Sequence, residues 1–273
     1  RARQACGDHP RGDSLAGRFF SYRLHPLTVK EICAVLGESP AAALDGLLRF
    51  GGFPEPYLKK SEVSAGRWRR THIDTIIRQD LLDLERVREI KSIEILIELL
   101  RERVGSSTSY SSLAEDLQVS IPTVKHWLEI LENLYVVFAV RPYHKNIARS
   151  ILKEPKYYFY DTGAVEGDLG AKMENVVALA LSRELHWLED TTGKRVSLHY
   201  LRDKEKREVD FLAIIDNKPT LMLEVKAGDD SFSRSLFHFH GFLKDAEAVQ
   251  LVYGLMRKKS KPRIKMLPLA EFL

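Results

Sequence analysis

Over the first half of the chain, apolar residues recur at spacings of three and four; further on they gather into short runs of strand length. Thr28 to Leu36 and Ala41 to Phe50 read as short helices, with Gly37 and Ser39-Pro40 as break and restart. Before them Phe19 to Leu24 reads as a strand, and after them Gly51-Gly52-Phe53-Pro54-Glu55-Pro56 as a rigid turn. From Ala65 to Leu100, Trp68, Ile73, Ile76, Ile77, Leu81, Leu84 and Val87 form one apolar helical stripe, and Ser92 to Arg103 continues as an amphipathic helix. A polar loop at Ser106 to Tyr110 leads into a short helix, a turn around Val119-Ser120 and a longer helix begun by Pro122. These have the proportions of helix-turn-helix, and the strand predicted at Leu134 to Val140, with a wing-like turn at Arg141 to Asn146, makes the unit similar to a winged helix.

The later part is patterned differently. Lys156-Tyr157-Tyr158-Phe159-Tyr160 reads as an aromatic strand ending at an Asp161-Thr162-Gly163 turn. Ala171 to Leu188 is helical, with Glu174, Val177, Ala178, Leu181 and Leu185 on one face. Strands follow at Val196 to Leu201, Glu208 to Ile215 and Leu221 to Val225, then a helix at Ser233 to Lys244 and a strand at Ala248 to Val252. The expected fold class is therefore mixed α/β: a helical, winged-helix-like N-terminal half followed by an αβββαβ unit. Length alone suggests two domains.

The second and third of those strands carry the chemistry. They read as a β-hairpin with a loop slightly longer than two residues, over Asp216-Asn217-Lys218-Pro219. Strand alternation puts Glu224 and Lys226 on one face, and a plausible register brings Asp210 within metal-sharing distance of Glu224. Two carboxylates and an ammonium so placed suit phosphodiester hydrolysis, with Asp210 and Glu224 on Mg²⁺ and Lys226 orienting water or stabilising charge on phosphorus. A plain Glu–Lys ion pair on an exposed hairpin is the alternative for these residues, and a non-catalytic nucleic-acid-binding or protein-interaction module is the alternative for the chain.

Asp210, Glu224 and Lys226 match the Asp…Glu-x-Lys signature of the PD-(D/E)xK nuclease-like superfamily. More narrowly, Met173 to Ala178, His199 to Arg202, Glu208 to Phe211 and Leu223 to Ala227 resemble the C-terminal region of the domain-of-unknown-function 4143 family, bacterial and archaeal proteins with an AAA-type ATPase ahead of it. The resemblance implies that Glu174 lies beside the metal site as a metal residue, completing the metal's outer shell or holding a second metal, and that Tyr200 and Arg202 flank the site, Arg202 as a phosphate contact. Gly12 to Arg18 and Arg23 to Val29 resemble the stretch that closes the nucleotide-binding domain in those ATPases. The chain would then be a fragment beginning inside the last part of that domain, with ATP reached only through a missing upstream domain; Arg18 is either a nucleotide sensor or a surface charge. The same resemblance divides the chain at 1–50, 51–150 and 151–273.

No Gly-x-x-x-x-Gly-Lys-Ser/Thr occurs, so the chain alone is not expected to bind or hydrolyse ATP. The net charge of +4, from 42 basic against 38 acidic residues, permits a DNA partner without arguing for one. If the winged helix reads DNA, Thr123, Lys125 and His126 would enter the groove; Glu129 and Glu132 on the same helix favour protein packing instead. The arginines decorating Ala65 to Leu100 are interleaved with acids, as on a solvated face. The aromatic strand could stack single-stranded bases, but it reads better as a buried sheet strand. His238 and His240 alternate as in a strand but lie in a helical pattern, which argues against a zinc pair. Two cysteines, Cys6 and Cys33, fit thiols in a reducing cytoplasm, and no membrane-length apolar run or signal peptide is present.

Overall fold

A computed structural model describes residues 20–77, 87–144 and 154–273. Helix α1 (Val29–Leu36) starts at a capping box in which Thr28 and Glu31 satisfy each other's backbone N–H groups, and it stops at Gly37 in the left-handed conformation. Helix α2 (Pro40–Phe50) has its proline in the first turn, where no N–H is missed, and Ser39 caps it. Helices α3 (Pro54–Lys59), α4 (Glu62–Ile76), α5 (Val87–Glu102), α6 (Tyr110–Asp116) and α7 (Ile121–Asn133) follow. Val124, Trp127, Leu128 and Leu131 form the buried stripe of α7.

Strands β1 (Val137–Pro142) and β2 (Lys156–Phe159) are antiparallel to each other and lie at one side of an eight-stranded mixed sheet. Then come α8 (Leu169–Thr192), β3 (Val196–Arg202), β4 (Glu208–Ile215), β5 (Lys218–Lys226), α9 (Arg234–His240), β6 (Glu247–Val252), β7 (Lys259–Lys261), β8 (Ile264–Pro268) and α10 (Leu269–Phe272). The strand order is β2-β1-β3-β4-β5-β6-β8-β7, with β1–β3, β5–β6 and β6–β8 parallel. Helix α8 packs against β2 to β5, and α9 against β4 to β6. One apolar core unites Leu44, Trp127, Tyr158, Met173, Phe211 and Val249, so the helices and the sheet share an interior. A second, smaller cluster lies under α9, around Leu236, Leu212, Met222 and Ile264.

Most element types match the sequence pattern, and five local expectations change, the first being the start of the wing-like turn, since Arg141 and Pro142 belong to β1 and pair with β3. Phe20 to Leu24 form no strand. The rigid turn at Gly51 to Pro56 is half turn and half helix, because Pro54 opens α3. The helix expected to reach Lys244 ends at His240. The β4–β5 loop is the two residues Asp216 and Asn217, with φ of 50° and 63°, the double left-handed pair of the tight hairpin turn that matches strand twist. Lys218 and Pro219 belong to β5, since Pro219 can start a strand where no N–H is needed. The Gly12 to Arg18 match, Cys6, Phe19, Leu81 and Leu84 of the apolar stripe, Arg78, Arg86 and the tip of the wing-like turn lie outside the described residues. Among the described residues no helix is long and apolar enough to cross a membrane.

Candidate active site

The register between β4 and β5 pairs Leu212 with Met222 and Phe211 with Leu223, where the paired run ends, leaving Asp210 just before it on β4 and Glu224 just after it on β5. On the other side of β4, the pairs His199–Leu212 and Leu201–Val209 differ by two residues in β3 and three in β4. That extra residue is a β-bulge at Asp210-Phe211, a device that bends a strand and re-aims a side chain. Half-buried Asp210 turns one oxygen, Oδ2, onto the backbone N–H of Val225 at 2.8 Å.

Glu224 is 5% exposed and fully engaged: Oε1 pairs with the Lys226 ammonium at 2.7 Å, and Oε2 accepts the Ser233 hydroxyl at 2.6 Å. Ser233 is held in turn, its N–H donating to Gln250 Oε1 at 2.9 Å, while Gln250 donates to the Ser231 carbonyl at 2.7 Å. The α9 cap and a buried amide on β6 thus fix the Glu224 carboxylate. Burial pulls the Lys226 ammonium down, and its bond to Glu224 more than reverses this, so its pKa is raised.

Glu174 projects from α8 toward β2. Its Oε1 pairs with the Lys156 ammonium at 3.1 Å and accepts the Tyr158 hydroxyl at 2.6 Å. Lys156 is 1% exposed, reaches Glu208 at 2.6 Å and lies over the Tyr200 ring, 5.4 Å from its centre. Burial pulls that ammonium down, and Glu174, Asp210 and Glu208 raise it well past its usual value. Arg202 meets Glu208 at 3.4 Å and donates to Ser107 Oγ at 3.2 Å. Gly105, at φ 79°, closes the cluster: a Cβ there would stand 2.8 Å from a Glu174 oxygen.

Asp210 feels both groups. Its pKa is pushed well above the usual carboxylate range, first by burial and then by the Glu174 charge; Lys156 and the Val225 N–H oppose the shift and Glu224 adds to it. Among the described residues it makes no ion pair. Four carboxylates (Glu174, Glu208, Asp210, Glu224) therefore face three cations (Lys156, Lys226, Arg202), and the uncompensated charge falls on Asp210. Among the described residues no group of three or more His, Cys, Asp or Glu side chains is arranged to hold a metal ion. Asp210 and Glu224 remain as a two-carboxylate oxygen set, of the kind a hard divalent cation takes together with water.

The predicted residues thus fall into two places. Asp210, Glu224 and Lys226 are neighbours, Glu174 and Arg202 adjoin them through Lys156 and Glu208, and Lys125 and His126 lie apart on α7. Lys125 is exposed, with its ammonium 5.1 Å from the Tyr110 ring centre. Sequence reasoning missed Lys156, Glu208, Ser233 and Gln250. A lysine heading an otherwise aromatic strand was the available signal for Lys156, because a buried ammonium needs acids around it. His238 Nε2 meets Asp203 at 3.4 Å, whereas His240 is buried.

Residues 41–174 match the family model described as Domain of unknown function (DUF8612), and residues 169–272 match Domain of unknown function (DUF4143). An uncharacterized protein of Mycobacterium tuberculosis is 27% identical over 230 residues, which cover 82% of this chain and 51% of the relative. One from Haemophilus influenzae is 24% identical, with 73% and 51% covered, and one from Methanocaldococcus jannaschii is 24% identical, with 74% and 46% covered. The chain spans about half the length of the curated relatives it matches. No solved structure matches it. The DUF4143 match takes in Glu174, Asp210, Glu224 and Lys226, whereas Lys156 falls in the DUF8612 match alone.

Proposed function

We propose that residues 169–272 form a PD-(D/E)xK nuclease-like domain that hydrolyses nucleic-acid phosphodiesters with a divalent cation on Asp210 and Glu224. The single observation that carries this reading is that the Asp210 carboxylate accepts, at 2.8 Å, the β5 backbone N–H of Val225, the residue between Glu224 and Lys226. The fit to Mg²⁺ rests on the donors being hard oxygens and on the uncompensated charge at Asp210. A cation bound there would withdraw charge from the phosphoryl group and acidify a water. The chain's own residues do the rest. Lys226, held at Glu224, supplies an ammonium to orient water or to meet charge developing on phosphate oxygen. Ser233 and Gln250 keep Glu224 from swinging away. Lys156 and Tyr158 hold Glu174 at the edge of the site, where it sustains the negative field felt by Asp210. In the parent protein an AAA-type ATPase domain would precede this chain, the whole would work in the cytoplasm, and the α6–α7 unit would act as a winged helix with Lys125 and His126 toward DNA.

A second reading has its own support. Both oxygens of Glu224 are already taken, and Lys156 already neutralises Glu174 and Glu208, as in a nuclease-like fold kept for binding alone. Thermal melts and cleavage of labelled DNA with Mg²⁺, Mn²⁺ or a chelator separate the two. Catalysis requires a cation-dependent rise in Tm, lost in Asp210→Asn, together with cation-dependent cleavage lost in Lys226→Ala. A melt indifferent to cations and no cleavage would leave only the binding fold.

A further inference from the structure

The longest one-signed charge run among the described residues lies at the far edge of the sheet. Arg257, Lys258, Lys259, Lys261, Arg263 and Lys265 fall within nine residues that contain no acid, and all six are exposed. They build the β7–β8 hairpin, whose strands pair Lys259 with Met266 and Lys261 with Ile264 across the two-residue turn Pro262-Arg263. Lys258 meets Glu271, Lys259 meets Asp230 and Lys265 meets Glu247. Arg257, Lys261 and Arg263 have no acidic partner among the described residues.

Two features set this run apart from an ordinary solvated face. Arg263 has φ 83°, at the turn position after proline that tight turns reserve for glycine or asparagine. A long cationic side chain sits there in a left-handed backbone conformation that side chains rarely adopt. The second feature is register. Directly paired residues share a face of a sheet, so the pairs Glu224–Gln250, Gln250–Met266 and Met266–Lys259 form one row on one face. Lys259 and Lys261 therefore lie on the face that carries Glu224 and Lys226. The segment between is shared, since Asp230 holds Lys259, Phe232 lies under the Lys261 ammonium at 4.9 Å, and Ser233 holds Glu224.

We infer that the β7–β8 hairpin is the surface on which a polynucleotide backbone docks, along the row that leads to Glu224 and Lys226. This rests on the phosphodiester reading of that site. A polyanion suits the surface because successive phosphates can meet successive cations along the hairpin, displacing their counterions. Docking would raise the local concentration of phosphodiester at a site whose own carboxylates repel it.

The test measures binding in chelator, so that it does not depend on cation or cleavage. Labelled duplex DNA, single-stranded DNA and single-stranded RNA are titrated with wild type and with Arg257→Gln/Lys261→Gln/Arg263→Gln across a range of salt. Every phosphate deprived of its cation should lower the log–log salt slope by roughly 1, so the triple variant should lose roughly 2–3 in slope and at least about tenfold in affinity at low salt. Lys30→Gln/Lys91→Gln, at two exposed lysines of helices α1 and α5, should leave that slope unchanged. The charge-keeping variant Arg257→Lys/Lys261→Arg/Arg263→Lys should retain wild-type affinity, which separates charge from fold. Unchanged binding in the triple variant overturns the docking surface, and so does wild type that binds no polynucleotide but binds phosphatidylserine vesicles. Failure of the nuclease reading looks different: binding persists in chelator and cleavage never appears with Mg²⁺.

Discussion

Asp210 and Glu224 lie on the two strands of one hairpin, and their removal should act in opposite directions. Glu224 has its partners, so Glu224→Gln breaks a formed pair and leaves Lys226 without its acid; a loss of about 1–3 kcal/mol in metal-free stability is expected by thermal or urea unfolding. Asp210 makes no ion pair among the described residues, so Asp210→Asn removes repulsion and should stabilise at neutral pH, by on the order of 1 kcal/mol. The two signs follow from the bulge and from Ser233, and charge reasoning from sequence alone expects both substitutions to stabilise. The pH dependence checks the Asp210 half. A carboxyl whose pKa is raised on folding contributes stability that is full below the unfolded value and is lost as pH rises through the folded one. The advantage of Asp210→Asn over wild type should therefore vanish below about pH 4 and grow as the pH is raised; an advantage independent of pH would contradict the assignment. Glu224, Lys226 and Asp210 were legible in the sequence because strand alternation and a hairpin turn are local signals. Lys156 was not, since its acids come from α8 and β4, 18 and 52 positions along the chain. Gly105 was equally hidden, and Gly105→Ala, meeting both a left-handed backbone and the Glu174 carboxylate, should destabilise by about 1–3 kcal/mol in unfolding experiments.

Among the elements, the segment before α1 shows how a stretch without regular structure is held. Residues 20–28 lie along α8, where Arg23 bonds Asp190 and Glu189, both at 2.5 Å, and His25 Nε2 meets His186 Nδ1 at 3.0 Å. Tyr22 packs near Trp187, with ring centres 6.2 Å apart. The expected strand is absent because these contacts are made by side chains to a helix, and no sheet edge is offered to the backbone. Two imidazoles sharing one hydrogen bond tolerate one proton between them but not two. Burial first, then the neighbouring His186, Arg23 and Arg183, push the His25 pKa down to about 4. With the folded value below the unfolded 6.5, the stability from this contact is present above pH 6.5 and lost as pH falls toward 4. Trp187 fluorescence, taken as the difference between a chain and its Trp187→Phe variant, should therefore change over that interval in wild type, and much less in His25→Gln; a pH-flat difference in wild type would rule out a pH-sensitive His25–His186 contact. The helix types were legible from periodicity and caps. Their ends were harder to place: α9 stops at His240, where the sequence pattern carries on to Lys244.

For the molecule as a whole, the order helix, three strands, helix, strand was readable, but the breadth of the sheet was not. The αβββαβ unit was visible because each element repeats a short-range pattern. The addition of β1 and β2 at one side and β7 and β8 at the other depends on pairings over long sequence separations, such as Pro142 with Tyr200. Those pairings tie the helical half to the sheet, and Asn175 shows how. Fully buried on α8, it accepts from the Phe159 N–H at 2.7 Å and donates to the Phe159 carbonyl at 2.9 Å, completing both backbone groups of a β2 residue whose strand leads back to the helices. Its substitution by leucine would strand both groups without water, at a cost of about 2–5 kcal/mol. Because one core runs from Leu44 and Trp127 through Tyr158 to Phe211 and Val249, that loss should not stay in the sheet. Trp127 is buried in the helical half, so in a Trp68→Phe/Trp187→Phe background its fluorescence reports that half, while far-ultraviolet circular dichroism reports all elements. In that background the two signals should melt together, and Asn175→Leu should shift both midpoints down by the same amount. If Trp127 kept its wild-type midpoint while the dichroism signal moved, the helical half and the sheet would be separate folding units, and the route from β2 through Lys156 to Glu174 would carry no coupling between them.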